Sequence, residues 1–95
     1  MATALVYDPI YLEHDTGSHP ENSGRLISAM EAIERSGLQT TLKMLSPEAA
    51  TVEEIATVHN DGYIEHVRWV AERGGGFLDP DTYASPRSYE AATMA

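Results

Sequence analysis

An amphipathic helix between two short apolar runs is the feature that most constrains how this chain can fold. Its apolar stripe consists of Leu26, Ile27, Met30 and Ile33, which recur at helical spacing. Pro20 suits the first helical position, and Gly37 supplies a helix stop. The runs at 4–7 and 40–45 predict a strand on either side of this helix. The order predicts a right-handed βαβ crossover with parallel strands, and therefore an α/β fold.

Two further helices are predicted in the second half of the chain. Residues 51–54 have the capping-box pattern, which predicts a short helix through Val58. Asp61 is expected to cap a longer helix that runs to about Arg73, where the glycines at 74–76 end it. The predicted buried face of this helix consists of Ile64, Val67, Val70 and Ala71.

Two stretches, 10–19 and 77–84, read as loops because polar and turn-forming residues dominate them. Ser85 and Pro86 then predict the start of a last helix. That helix reaches Ala95 without a glycine stop or a polar final turn. We therefore expect the sequence to be truncated.

The chain is acidic, with six Lys and Arg against fifteen Asp and Glu, and its formal net charge is −9. A field of this sign repels phosphate backbones, so no nucleic-acid partner is expected. It suits cationic partners such as lysine-rich tails or polyamines, although solubility is the simpler interpretation of the charge.

Two absences narrow the class of protein further. The chain contains no cysteine, which excludes disulfides and thiolate zinc sites. The first residues have no basic region, and their apolar run is too short for a signal peptide or a membrane span. We therefore expect a cytoplasmic protein with no membrane partner.

His14, His19 and Glu21 form the only close cluster of potential metal ligands in the sequence. A zinc site needs three or four converging ligands with their own supporting hydrogen bonds, and this spacing does not force convergence. We favour the interpretation that these groups hydrogen-bond the loop and cap the helix. No metal ligand is therefore assigned.

The remaining polar and aromatic residues give weaker signals. His59 and His66 are expected at a helix end and on a solvated face, and Trp69 is expected in the core. The glycines at 74–76 lack the Lys-Ser/Thr of a P-loop. The serines occupy caps and turns, so no Ser-His-Asp arrangement is predicted. On residues alone, the chain is an α/β fragment without a complete active site.

Three segments resemble, in order, the histone deacetylase family of bacterial and class II type, whose relatives include acetoin-utilisation proteins and acetylpolyamine amidohydrolases. The first segment combines Tyr7-Asp8-Pro9, His14 and the run HPENSGRL at 19–26. The second is ATVHN followed by Tyr63-Ile64-Glu65, and the third is DPDTY followed by Ser85-Pro86 and SYEAA. Ser23 departs from the first motif, which usually has proline at that position.

The resemblance implies the N-terminal βαβ-plus-helices portion of the arginase/deacetylase-type parallel-sheet fold. Residues 1–95 would form a single unit, a truncated N-terminal part of a deacetylase domain. In the family, two aspartates and a histidine hold zinc, a histidine pair moves protons, and a tyrosine stabilises the oxyanion. All of those residues lie C-terminal to this region. The resemblance therefore implies no catalytic residue and no cofactor in this chain, with zinc and an acetylated amine substrate, acetyl-lysine or acetylpolyamine, only in the full-length parent.

Four residues carry over from the resemblance as site candidates. Arg25 matches the arginine that lines an internal passage proposed to release acetate, and Tyr7 would lie near the same passage. The alternative for Arg25 is an ion pair with Glu21, four residues earlier on the helix. His19 and Glu21 would brace the loop that shapes the substrate entrance.

A stand-alone, self-associating interaction module is the alternative function. Two strands without further neighbours would expose unpaired edges, which favours association with other chains. We therefore expect the 95-residue chain to form a homo-oligomer. Because the zinc ligands of the family lie outside it, we also expect it to be catalytically silent.

Overall fold

The chain folds into four helices and two small sheets within residues 2–95, the range that the computed structural model describes. The first sheet and its helix comprise β1 (Ala4–Val6), α1 (Ser23–Ser36) and β2 (Lys43–Leu45). The rest comprises α2 (Val52–Ile55), α3 (Asp61–Glu72), β3 (Gly76–Asp79), β4 (Thr82–Ala84) and α4 (Ser88–Met94). Short 3₁₀ turns lie at Pro9–Glu13 and Leu38–Thr40.

The predicted strand, helix and parallel strand are confirmed. Strands β1 and β2 run parallel, with Leu5 opposite Met44. Helix α1 begins at Ser23 rather than at Pro20, because the extended residue Asn22 accepts a hydrogen bond from the Gly24 amide and caps the helix. The predicted loop at 10–19 also contains a 3₁₀ turn, because the Asp8 side chain accepts from the Ile10 amide at 2.8 Å.

Helix α3 follows the prediction closely. Its buried side chains are Ile64, Val70 and Ala71, with Val67 half-buried. Asn60, rather than Asp61, caps it, since the Asn60 side chain accepts from the Gly62 amide at 2.7 Å. The chain then turns through Gly74 and Gly75, whose φ angles of 106° and 98° only glycine adopts readily.

The predicted loop at 77–84 is wrong, because this stretch forms an antiparallel hairpin of β3 and β4. The strands have only four and three residues, too few for alternation to stand out, and the turn residues between them favour a loop. The last helix begins at Ser88 rather than at Pro86 after a Ser85 cap, since residues 85–87 form a turn in which the Ser88 amide donates to the Ser85 carbonyl at 3.0 Å.

The apolar core lies entirely in the second half of the described chain. It consists of Ile64, Val70, Ala71, Ala84 and Ala91. No side chain of β1, α1 or β2 is buried. The prediction of a core position for Trp69 is wrong: its side chain is 55% exposed, and the Arg73 guanidinium lies 4.5 Å above its ring.

The molecule is a flat slab of 41 × 32 × 17 Å with a radius of gyration of 15.2 Å. A compact chain of this length would have a radius of about 12.4 Å. Its accessible surface of 6775 Å² exceeds that of a compact monomer of its mass by about 1,400 Å². Parallel sheets are normally covered on both faces, so the sheet of β1 and β2 lacks its usual cover.

No helix within residues 2–95 combines the length and the apolar composition that crossing a membrane requires.

Candidate functional site

A groove of about 930 Å³ opens between the first loop and the hairpin. One side is formed by residues 13–21 and the other by Phe77 and residues 81–87; we call it the loop–hairpin groove. Four carboxylates line it, from Glu13, Asp15, Glu21 and Asp81, with Arg87 as the cation. This lining gives the groove an acidic character.

Ser85 holds the first loop by its backbone on both sides of His14. Its hydroxyl donates to the Glu13 carbonyl at 3.0 Å and accepts from the Asp15 amide at 2.8 Å. The residue is only 4% exposed. One buried hydroxyl thus satisfies two backbone groups that have no strand partner.

Ser88, 6% exposed, extends this contact to the His14 side chain. Its hydroxyl lies 2.6 Å from His14 Nδ1 and 2.8 Å from the Ser85 hydroxyl, and it accepts from the Ser85 amide at 2.7 Å. We refer to the hydroxyls of Ser85 and Ser88 with the His14 ring as the serine relay. Sequence reasoning assigned both serines to caps and turns; the only signal for them was their place in the third motif.

His19 connects the same loop to the hairpin turn. Its Nδ1 accepts from the Glu21 amide at 2.9 Å, so the ring proton must be on Nε2, which donates to Asp81 Oδ1 at 2.7 Å. His19 is therefore neutral in this arrangement. His19 and Glu21 both line the groove, and their assignment to a substrate entrance stays a prediction.

Arg25 and Tyr7 lie outside the groove. The Arg25 guanidinium pairs with the exposed Glu21 carboxylate, which is the ion pair that the sequence offered as the alternative. The Tyr7 ring meets Tyr11 edge-on, with ring centroids 5.9 Å apart. The passage assigned to Arg25 and Tyr7 by resemblance stays a prediction.

The residues present do not fit a zinc ion. Between residues 2 and 95 no group of three or more His, Cys, Asp or Glu side chains could hold a metal. His14 directs Nδ1 at Ser88, and both ring nitrogens of His19 are engaged by Glu21 and Asp81. The cluster of His14, His19 and Glu21 instead makes hydrogen bonds and an ion pair, to Ser88, Asp81 and Arg25 in turn.

The hairpin turn depends on the ionised carboxylate of Asp79. The Asp81 amide donates to it at 2.9 Å, and this bond, followed by that from the Thr82 side chain, lowers the pKa of Asp79. Because the pKa is lower in the folded state, the stabilisation is present above the ordinary aspartate pKa and is lost as pH falls through the lowered value. We expect the protection of the Asp81 amide, measured by NMR as hydrogen exchange relative to the intrinsic rate at each pH, to fall in that acidic range, and Asp79→Asn to flatten this pH dependence.

The architecture is that of a deacetylase domain. A crystal structure of the HDA15 HD domain superposes with a TM-score of 0.91 at 23% identity, over 98% of this chain and 28% of that one. The family model of the histone deacetylase domain matches residues 19–95. The chain belongs to the histone deacetylase family. Its fold class, the deacetylase-type α/β fold predicted from the motifs, is confirmed.

Two relatives match nearly the whole chain. A probable deacetylase of Methanothermobacter thermautotrophicus is 36% identical over 96% of this chain. A histone deacetylase-like amidohydrolase of Pseudomonas aeruginosa is 29% identical over 98% of it. The chain spans 27% of the first relative and 29% of the second.

Proposed function

We propose that this chain is the N-terminal part of a zinc-dependent deacetylase that hydrolyses acetylated amines, either acetyl-lysine or an acetylpolyamine. The match of residues 19–95 to the deacetylase domain carries the proposal. The chain's span of less than a third of these relatives supports its place as one part of a longer domain.

In this proposal the loop–hairpin groove is the entrance for the substrate. Its four carboxylates favour a cationic amine or a lysine-rich peptide near the entrance. His19 and Glu21 hold one wall, and Arg25 with Tyr7 would border the acetate passage in the complete domain.

In the complete cytoplasmic enzyme, a zinc ion would polarise the carbonyl of the acetyl group and activate the attacking water. Residues outside these 95 would hold it, since the groups described above are engaged elsewhere. The pure 95-residue protein is then expected to bind no stoichiometric zinc and to leave acetyl-lysine intact.

A chimera tests the proposal. This chain replaces the matching segment of the Pseudomonas amidohydrolase, and deacetylation of an acetyl-lysine peptide and of an acetylpolyamine is measured with and without zinc. Zinc-dependent activity in the chimera supports the proposal, provided that the 95-residue chain alone is silent. Zinc-dependent turnover by the 95-residue chain itself would contradict it.

The alternative, a self-associating module, is favoured by the excess surface of about 1,400 Å² per chain, which is the scale of an extensive interface. We expect sedimentation equilibrium at micromolar concentrations to show a dimer or higher oligomer. Val6→Glu, on the exposed face of β1, should shift it towards monomer, whereas Val58→Glu on the other half should not. A wild-type monomer throughout this range contradicts the association.

A further inference from the structure

The serine relay has a direction that its partners determine. The Glu13 carbonyl can only accept a hydrogen bond, so the hydroxyl hydrogen of Ser85 points to it. The Asp15 amide donates to the same Ser85 oxygen at 2.8 Å. Ser85 therefore has one lone pair left, and no hydrogen left to donate.

The contact between the two hydroxyls determines where the hydroxyl hydrogen of Ser88 points. The oxygens of Ser85 and Ser88 lie 2.8 Å apart, and Ser85 has already committed its hydrogen. Ser88 must donate across this contact, since otherwise two lone pairs would face each other in a buried site. The Ser88 oxygen then accepts from the Ser85 amide at 2.7 Å and retains one lone pair.

That lone pair faces His14 Nδ1 at 2.6 Å, so the ring nitrogen must carry a hydrogen. We infer that the serine relay holds His14 as the Nδ1–H tautomer and makes Ser85 and Ser88 positioning residues for the groove. Every donor and acceptor in the relay then has a partner. The result is the reverse of His19, which is held as the Nε2–H tautomer by the Glu21 amide.

This assignment determines which kind of hydrogen-bonding group the second ring nitrogen of His14 is. In the neutral Nδ1–H ring, Nε2 carries no proton and is the hydrogen-bond acceptor. Because His14 lines the loop–hairpin groove, a ligand that bonds this nitrogen would need an N–H donor, such as a peptide amide or an ammonium group. This last step rests on the proposed function, in which the groove admits an acetylated amine.

The tautomers of the two histidines test the relay without any activity assay. Long-range ¹H–¹⁵N NMR of the 95-residue protein, at about pH 8 and so above the ordinary imidazole pKa, identifies the protonated nitrogen of each ring. We expect Nδ1–H for His14 and Nε2–H for His19. In Ser88→Ala, His14 should no longer be held as the Nδ1–H tautomer, whereas His19 should stay Nε2–H. Ser88→Thr, which keeps a hydroxyl, should restore the Nδ1–H tautomer of His14.

Hydrogen exchange at the Asp15 amide tests the other end of the relay. Ser85→Ala should accelerate this exchange about tenfold or more, equivalent to losing a hydrogen bond of about 1.4 kcal/mol. Ser18→Ala, in the same loop and exposed, should leave it unchanged. An Nε2–H tautomer of His14 in the wild type, no response to Ser88→Ala, or random-coil exchange at Asp15 in the wild type overturns the inference. An inactive chimera with these tautomers intact would instead count against the proposed function alone.

Discussion

Gly75→Ala is expected to lower the free energy of unfolding by about 2–5 kcal/mol, because left-handed strain and a backbone clash act at the same position. Gly75 has a φ of 98°, and an added Cβ would lie 2.7 Å from the Ala84 carbonyl oxygen and 3.3 Å from Ser85 Cα. Both neighbours are backbone atoms of the segment that holds the relay. They cannot move aside without displacing Ser85.

Gly37→Ala is the matched control for this clash. Gly37 has a φ of 77°, but an added Cβ would meet no atom within 4 Å. Strain alone should cost about 1–2 kcal/mol there. Urea unfolding of both variants measures the difference, and equal losses would contradict the close approach of the glycine turn to β4.

Ile64→Ala is expected to cost about 2–4 kcal/mol, because it leaves a cavity in the only buried cluster of the described chain. Ile64 is 4% exposed on α3, and the larger side chains of Ile55, Val67 and Tyr89 line the same hollow. A loss of this size would consume a large share of the stability of so short a chain.

Ile27→Ala on α1 is the control, since it removes the same atoms from a side chain that is 44% exposed. It should cost less than about 1 kcal/mol in the 95-residue protein. Chemical unfolding of the two variants compares them directly. A larger effect at Ile27 would show that α1 is covered in solution, as association through the first sheet would require.

Local signals predicted much of the fold. Gly37, the capping box at Thr51 and the apolar face of α3 each depend on neighbours within one or two helical turns. The hairpin was missed because its strands are too short to show a period. Trp69 was placed in the core because a large aromatic usually is, whereas here Arg73 covers its ring in solvent.

The site was less accessible to prediction. His19 and Glu21 were identified from one motif, and they do share a groove. Ser85 and Ser88 were not identified, because their partners in the first loop lie 70 to 74 residues away and spacing along the chain carries no information about those contacts. Only the tertiary structure brings the hydroxyls to the loop and gives them a direction.

The separation between His14 and Ser88 also determines when the first loop can become ordered during synthesis. The two residues lie 74 positions apart, so at about 5–20 residues per second a ribosome adds Ser88 roughly 4–15 s after His14. The Tyr11 hydroxyl donates to the Met94 carbonyl at 2.9 Å, and this partner is translated later still. This first loop is therefore translated early but finds its partners late. Until Ser88 and Met94 have been added, a nascent chain would expose the loop to chaperones and proteases.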